Sequence, residues 1–239
     1  MPIANDVFEK EQAQDYDALR SKIQNGDILL CSGNDGFSPL IQKATGCPWS
    51  HVAFIFKMDD INRIMVLESV DGAGVRTQAL SGMVAGNGKN MAPYPGKMIV
   101  ARHDKFASLS NPVKLRVMSQ FAVDRFALPY SSWEIISIGL RLGVARLGIR
   151  LPRIKLSDAF ICSEYAAACY DAIGIKFAPN RLGFIAPGDL AADPDVSLVG
   201  VLKVPTRDEM RKIARERDQA AKQALRAAQR EAKAAARRK

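Results

Sequence analysis

Between residues 28 and 103, short apolar runs alternate with turn residues, and this pattern limits the folds open to the chain. Apolar, β-branched and aromatic runs bounded by Gly, Pro, Asn or Asp are typical of buried strands. The run His51–Lys57 is followed by the turn residues Asp59–Asn62 and a second run, Ile64–Ser69, which together predict a hairpin. Further strands are expected at Ile28–Cys31, Val75–Gln78, Met98–His103 and Leu198–Val204.

After Asn111-Pro112 the pattern changes to helical periodicity. The expected helices are a short polar one at 6–24, Val113–Ala127, an amphipathic one with interspersed arginines at Ser132–Arg150, and Ala159–Ile173. Asp158 is placed to cap the last of these helices, and Gly174 is placed to end it. Residues 81–97 are rich in Gly, Asn and Pro, which predicts a long loop.

Basic charge is concentrated at the C-terminus. The chain has 239 residues, of which 48% are hydrophobic, and this suits one globular domain with a substantial core. Residues 207–239 hold twelve Lys or Arg and five Asp or Glu, so most of the net charge of +9 lies there. This segment lacks Gly and Pro, which favours a solvated helix. We therefore expect a folded domain at 1–206 and a basic helical tail at 207–239.

The sequence carries no pattern typical of export or membrane insertion. Residues 1–6 lack the basic segment and apolar run of a secretory signal. The most apolar stretch, Trp133–Leu151, is interrupted by one glutamate and three arginines and does not predict a membrane span. We therefore expect a cytoplasmic protein whose cysteines, at positions 31, 47, 162 and 169, are free thiols.

Cys162 is the candidate nucleophile. It lies in the first turn of the helix that Asp158 is expected to cap, where unpaired N–H groups and the helix dipole favour an anion. Both effects favour a thiolate, and the same N–H groups can hold the oxyanion of a tetrahedral intermediate. The alternative is a buried, inert cysteine, and Cys169 on the same helix is expected to be of that kind.

His51 and Glu68 are the candidate partners of this thiol. A thiol nucleophile needs a base of near-neutral pKa, and His51 is one of only two histidines in the chain. On the predicted hairpin, Glu68 lies beside the start of the strand that His51 begins. Its carboxylate can accept the second ring N–H of His51 and so fix the tautomer. The alternatives are a structural His51 and an ordinary strand-end Glu68; His103 is expected at the surface.

His51 could instead be a metal ligand. Cys47 lies four residues before it, and Cys31 could join as a third ligand. Pro48 disfavours a helical pairing of Cys47 with His51, and the chain has no Cys-x-x-Cys pair. We therefore expect no metal and no other cofactor.

Several segments in a fixed order carry a family resemblance, over roughly residues 24–204. They are Gly26–Leu30, Trp49–Ala53, Leu67–Ser69, Gly74–Arg76, Val100–Arg102, Phe160–Glu164 and Pro187–Leu190. In this order the chain resembles the permuted papain-like amidases, the YaeF/YiiX-type branch of the NlpC-like superfamily. In that branch the His-bearing strands precede the Cys-bearing helix, which reverses the order in papain.

The resemblance implies an α+β, circularly permuted papain-like fold in which a small antiparallel sheet packs on the Cys-bearing helix. It implies a catalytic domain at 1–206 with a triad of Cys162 as nucleophile, His51 as base and Glu68 as the orienting group. The implied activity is that of a cysteine hydrolase, an amidase or peptidase that acts on a peptide-like or acyl-containing substrate through a thioester.

Two other functions stay open at this point. Lecithin:retinol acyltransferase-like relatives share the His-before-Cys order and act on lipid acyl groups. The amphipathic segment 132–150 and the cationic tail would suit such an activity at an anionic membrane surface. A non-enzymatic scaffold that binds nucleic acid or a protein partner through the tail is the other alternative.

Overall fold

The computed structural model describes residues 2–86, 92–109, 111–129, 161–180 and 183–206, together with scattered positions between 209 and 223. The chain divides into two compact units, Met1–Val204 and Pro205–Lys239. The predicted helix Ser132–Arg150 and the middle of the predicted loop, 87–91, lie outside the described residues.

The first unit is built on one mixed sheet. Its described strands are β1 (Ala13–Gln14), β2 (Ile28–Gly33), β3 (His51–Met58), β4 (Arg63–Val70), β5 (Gly74–Ala79), β6 (Gly96–His103) and β7 (Val196–Leu202). They are ordered β1-β7-β6-β2-β3-β4-β5. Adjacent strands are antiparallel except β1 and β7, which are parallel. The sheet is therefore larger than the expected small antiparallel sheet, because the N-terminal segment adds a parallel edge strand.

The described helices are short; α1 precedes the first strand and the others lie between strands along the chain. They are α1 (Val7–Lys10), α2 (Tyr16–Arg20), α3 (Ser38–Thr45), α4 (Leu80–Ala85), α5 (Asp104–Leu109), α6 (Pro112–Val123), α7 (Cys162–Asp171) and α8 (Pro187–Ala191). The single helix predicted at 6–24 is wrong, since β1 pairs with β7 between α1 and α2. The predicted loop 81–97 begins as helix α4, because burying Leu80, Met83 and Val84 stabilises a helical turn there.

The sheet has an apolar cluster on each face, as strand alternation requires. Leu30 and Phe54 belong to the cluster that includes the buried side chains of α7, whereas Leu29 and Ile55 belong to the cluster that includes those of α4. Helix α7 packs against β3 and β4. These contacts bring the first residue of α7 close to the strands that carry His51 and Glu68.

The β3–β4 hairpin closes at the predicted turn. Asp59–Ile61 form one turn of 3-10 helix, and Asn62 follows with a left-handed φ of 52°. The Asn62 N–H donates to the Asp59 carbonyl at 3.0 Å. Asn tolerates the left-handed region better than most residues do, so this turn sets the register of the two strands.

The second unit begins with a helix N-terminus. Thr206 Oγ1 accepts a hydrogen bond from the Glu209 N–H at 3.3 Å, and Glu209 Oε2 accepts one from the Thr206 N–H at 2.8 Å. This is a reciprocal capping box, which satisfies donors that the first turn of a helix leaves unpaired. The described positions between 209 and 223 are helical.

We expect Gly74→Ala to destabilise the protein more than Gly72→Ala. Both glycines have positive φ, +68° and +75°, so each alanine carries the strain of a left-handed backbone, about 1–2 kcal/mol. A Cβ at Gly74 would also lie 2.1 Å from the Leu128 carbonyl oxygen, whereas no described atom lies within 4 Å of a Cβ at Gly72. Gly74→Ala should therefore lower the free energy of unfolding, measured in urea, by at least about 1 kcal/mol more than Gly72→Ala does. Equal losses would contradict this packing of β5 on Leu128.

Candidate active site

The β3–β4 hairpin brings His51 and Glu68 into contact. The two strands are paired as far as Phe54 and Leu67; His51 begins β3 and Glu68 lies near the end of β4. The His51 Nε2 atom lies 2.8 Å from Glu68 Oε2. An ionised carboxylate can only accept hydrogen bonds, so Nε2 carries the proton in this pair. Nδ1 is then the ring nitrogen that can accept a proton from another group.

The Glu68 carboxylate is held from a second side by β5. Glu68 is 1% exposed, and Arg76 is its direct partner in the β4–β5 ladder. Glu68 Oε1 accepts hydrogen bonds from Arg76 Nε at 3.0 Å and from Gln78 Nε2 at 2.6 Å. Burial opposes ionisation, but the hydrogen bond and charge of His51, followed by those of Arg76, outweigh it and lower the pKa of Glu68.

No role for Arg76 or Gln78 was predicted from the sequence. Residues two apart on a strand share a face, and β5 follows the strand of Glu68 directly. Two hydrogen-bond donors spaced in this way beside a buried carboxylate are the signal that could have identified them.

Cys162 is the first residue of α7. Ile161 is extended, with φ −80° and ψ 159°, and serves as the N-cap. The helix therefore begins at Cys162 and not at the predicted Ala159, and its N-cap is Ile161 and not the predicted Asp158. Residues 158–160 lie outside the described residues. The Cys162 N–H is one of the first-turn donors that have no carbonyl partner within the helix. The Cys162 side chain is in the core, with the residue 4% exposed.

His51 interacts with Cys162 as well as with Glu68. Burial by itself lowers the pKa of the His51 imidazole, but the charge of Cys162 and its hydrogen bond to the ring, together with the hydrogen bond and charge of Glu68, raise it overall. The three side chains singled out from the sequence thus lie together, with His51 between the other two.

The other thiols have different surroundings. Cys169 and Cys31 are fully buried, and burial raises the pKa of both, that of Cys169 to about 12. Cys47 is partly exposed and lies 3.2 Å from Thr45 Oγ1. All four cysteines are free. Cys169 has the buried environment expected of an inert cysteine.

The alternative metal site does not form within the described part of the chain. Cys31 pairs with His51 across the β2–β3 ladder, but Cys47 faces Thr45 instead of joining them. Another group in the described residues has its ligand atoms within 4.8 Å of one another: His103, Asp193 and Asp195.

In the group at His103, both His103 and Asp195 already have polar contacts with Lys105. The Lys105 ammonium pairs with Asp195, and the Lys105 backbone N–H donates to His103 Nδ1 at 3.2 Å. The prediction that His103 lies at the surface is wrong, since it is 2% exposed and its ring packs edge-on against Phe177, with the centroids 5.5 Å apart. Alternation along β6 places His103 on the same face as Ile99 and Ala101, which belong to the apolar cluster that includes α7.

Within the described residues, no helix combines the length and apolar character needed to cross a bilayer. The amphipathic segment 132–150, which suggested a membrane surface, lies outside those residues.

The fold and this arrangement define an α+β protein with a mixed sheet and a cysteine at the start of a helix that packs on it. No protein-family model and no curated protein matches the chain. A solved structure described as the metalloprotein YiiX from Escherichia coli O157:H7, DUF1105, is similar, with a TM-score of 0.53 and 18% sequence identity. The match covers 77% of this chain and 99% of the YiiX chain. At this identity the likeness concerns the fold.

We expect iodoacetamide at neutral pH to modify Cys162 well before Cys169 or Cys31. Thiolates are the reactive form of cysteine, and burial disfavours the thiolates of the latter two. A Cys47→Ser background removes the partly exposed thiol. Peptide mass spectrometry of the native protein should show at least about a tenfold difference in rate, because burial keeps Cys169 and Cys31 in the unreactive thiol form.

His51→Ala in the same background is the control for activation by the imidazole, and it should slow modification of Cys162. Equally slow labelling of Cys162 and Cys169 in the folded protein would remove the basis for assigning Cys162 as the nucleophile.

Proposed function

We propose that this protein is a cysteine hydrolase, an amidase or peptidase, with Cys162 as nucleophile, His51 as base and Glu68 as orienting residue. The observation that carries the proposal is a single constellation. The imidazole of His51 is held through Nε2 by a buried carboxylate and interacts with Cys162, the first residue of a helix that packs on the same strands. This arrangement of nucleophile, base and orienting group is that of thiol acyl-transfer enzymes.

In the proposed reaction, Nδ1 of His51 accepts the thiol proton and the sulfur of Cys162 attacks the carbonyl carbon of an amide. The backbone N–H of Cys162 donates to the oxyanion of the tetrahedral intermediate. The C–N bond then breaks as His51 returns its proton to the leaving amine, and a thioester remains. Water, deprotonated by His51, attacks the thioester, the C–S bond breaks, the carboxylic acid leaves, and the proton held by His51 returns to the sulfur of Cys162.

Two further observations support the proposal. The likeness in fold is to YiiX, and the chain's motifs resemble the permuted papain-like branch that includes YiiX-type proteins. The order of the elements also agrees with that branch, since β3 and β4, which carry His51 and Glu68, precede α7. In this scheme residues 1–206 form the catalytic domain.

The description of YiiX as a metalloprotein is not extended to this chain. The one described group with ligand spacing, at His103, is held by contacts with Lys105. The proposed thiol chemistry uses no metal, so treatment with EDTA should leave the reactivity of Cys162 unchanged.

The test is covalent profiling of the full-length protein with libraries of acyl-amide and acyl-ester probes, read as adducts on Cys162 by mass spectrometry. Amide hydrolysis predicts turnover of acyl-amides. Cys162→Ala and His51→Ala should lower the turnover by about a thousandfold or more, since nucleophile and base are both removed from the reaction. Glu68→Gln should also lower it, because an amide at position 68 no longer holds His51 in the tautomer that accepts a proton at Nδ1.

The profile also separates the alternatives. Reaction with long-chain acyl-esters and none with amides would favour a lipid acyl hydrolase or acyltransferase. Absence of any adduct on Cys162, or full activity of His51→Ala, would contradict the enzyme and favour a binding scaffold.

The basic tail, 207–239, is proposed as an electrostatic anchor for nucleic acid or anionic lipid. Its twelve cationic residues, five acidic residues and abundant alanine give it charge with little apolar surface. Binding through such charges must weaken steeply with salt, because each neutralised phosphate releases counterions.

We expect truncation after Pro205 to leave the domain folded, with Cys162 still reactive, and to abolish binding to DNA or anionic vesicles at low salt. The expectation follows from the division of the chain at Val204 and Pro205. Full-length and truncated proteins should be compared at low and moderate salt, with thermal unfolding as the control. Equal binding by both forms, or none by either, would contradict the anchor, and loss of the thermal transition would contradict the boundary.

A further inference from the structure

We propose that Arg76 and Gln78 are positioning residues that occupy Oε1 of Glu68 and thereby reserve Oε2 for His51, so that Nδ1 is the basic nitrogen. The inference rests on the proposed function for its catalytic meaning. Its geometric part, the orientation of Glu68, concerns the side chains themselves and can be tested without a substrate.

Three N–H donors surround Oε1 of Glu68. Gln78 Nε2 lies at 2.6 Å, and Arg76 approaches with both Nε and Nη2, each at 3.0 Å. The planar guanidinium offers these two donors in a fixed relation, so it restrains the carboxylate in direction as well as in position. The other oxygen, Oε2, faces His51 Nε2 at 2.8 Å. The two oxygens of the Glu68 carboxylate therefore have different hydrogen-bond partners.

The hydrogen-bond donors at Oε1 also determine the orientation of a side-chain amide at position 68. In a Glu68→Gln variant, the amide oxygen must face Arg76 and Gln78, because an NH2 group there would meet only donors. The amide NH2 then faces His51 and donates to Nε2. His51 must respond by carrying its proton on Nδ1, which is the wrong tautomer for a base that receives the proton of Cys162.

Arg76 contributes a positive charge as well as hydrogen bonds. Its side chain is 42% exposed, so solvent moderates its effect, but it contacts a carboxylate that is 1% exposed. Among the described residues, the other titratable groups that face the site are Cys31 on β2, Tyr94 before β6 and Cys162 on α7. Burial raises the pKa of both Cys31 and Tyr94, so both are neutral near pH 7. Within the described part of the chain, Arg76 is thus the permanent cation in contact with Glu68.

The orientation is tested by ¹⁵N NMR of histidine in full-length Cys162→Ala, with and without Glu68→Gln, at alkaline pH where the imidazole is neutral. The chain has only two histidines, and His51→Ala identifies the signals of His51. We expect the His51 proton on Nε2 when Glu68 is present and on Nδ1 in the Glu68→Gln variant. A proton that stays on Nε2 in both proteins would overturn the proposal, whatever the enzyme activity.

The charge is tested by the pH dependence of Cys162 alkylation in a Cys47→Ser background. Removing a nearby cation makes every deprotonation at the site harder, so Arg76→Gln should move the midpoint upward by about half a pH unit to one pH unit. Arg76→Lys keeps the charge and should restore the midpoint. Arg63→Gln is the matched control, since this exposed arginine on the same strand as Glu68 lies about 16 Å along it.

The outcomes separate this inference from the proposed function. A midpoint in Arg76→Gln equal to that in Arg63→Gln would overturn the role of Arg76 while leaving Cys162 as the nucleophile. The proposed function would be overturned if wild-type Cys162 were alkylated at the rate of an ordinary thiol and His51→Ala did not change that rate. Gln78→Glu, which places an acceptor against Oε1, should also move the midpoint upward and replaces Arg76→Gln if that variant fails to fold.

Discussion

The buried Glu68 carboxylate is the group on which the candidate site depends. A charge that is 1% exposed is tolerated because His51 binds one oxygen while Arg76 and Gln78 bind the other. Removing one partner of a buried charged pair commonly costs about 3–5 kcal/mol, since the remaining charge is left uncompensated. Strands β3, β4 and β5 must therefore keep their register for the site to exist, and the turn at Asn62 and the close packing at Gly74 both serve that register.

The second requirement is that α7 begins beside this group of strands. Ile161 is extended, so the helix starts at Cys162, and the backbone N–H of Cys162 is one of its unpaired first-turn donors. Had the helix begun at the predicted Ala159, the backbone N–H of Cys162 would have been further into the helix and closer to having a carbonyl partner. One extended residue thus sets both the thiol position and the donors proposed to hold an oxyanion.

The likeness to YiiX spans nearly the whole of that chain but only 77% of this one, at 18% identity. A fold shared at this distance permits many chemistries, because function depends on the site more than on the scaffold. The proposal of an amidase therefore rests on Cys162, His51 and Glu68 and their contacts. Arg76 and Gln78 contact Glu68 and would act through it on any acyl transfer in which His51 is the base.

The sequence by itself determined most of the central strands, the hairpin and the three candidate residues, because these depend on local apolar runs and on turn chemistry. It did not determine the strand β1, the helix α4 or the burial of His103, since each depends on partners that are distant along the chain. Nor could it show that Arg76 and Gln78 hold Glu68, because strand pairing, which no local pattern specifies, decides which side chains face one another. The tertiary structure decided the site for the same reason: α7 meets β3 and β4 only when the apolar faces of the helix and the sheet are buried together.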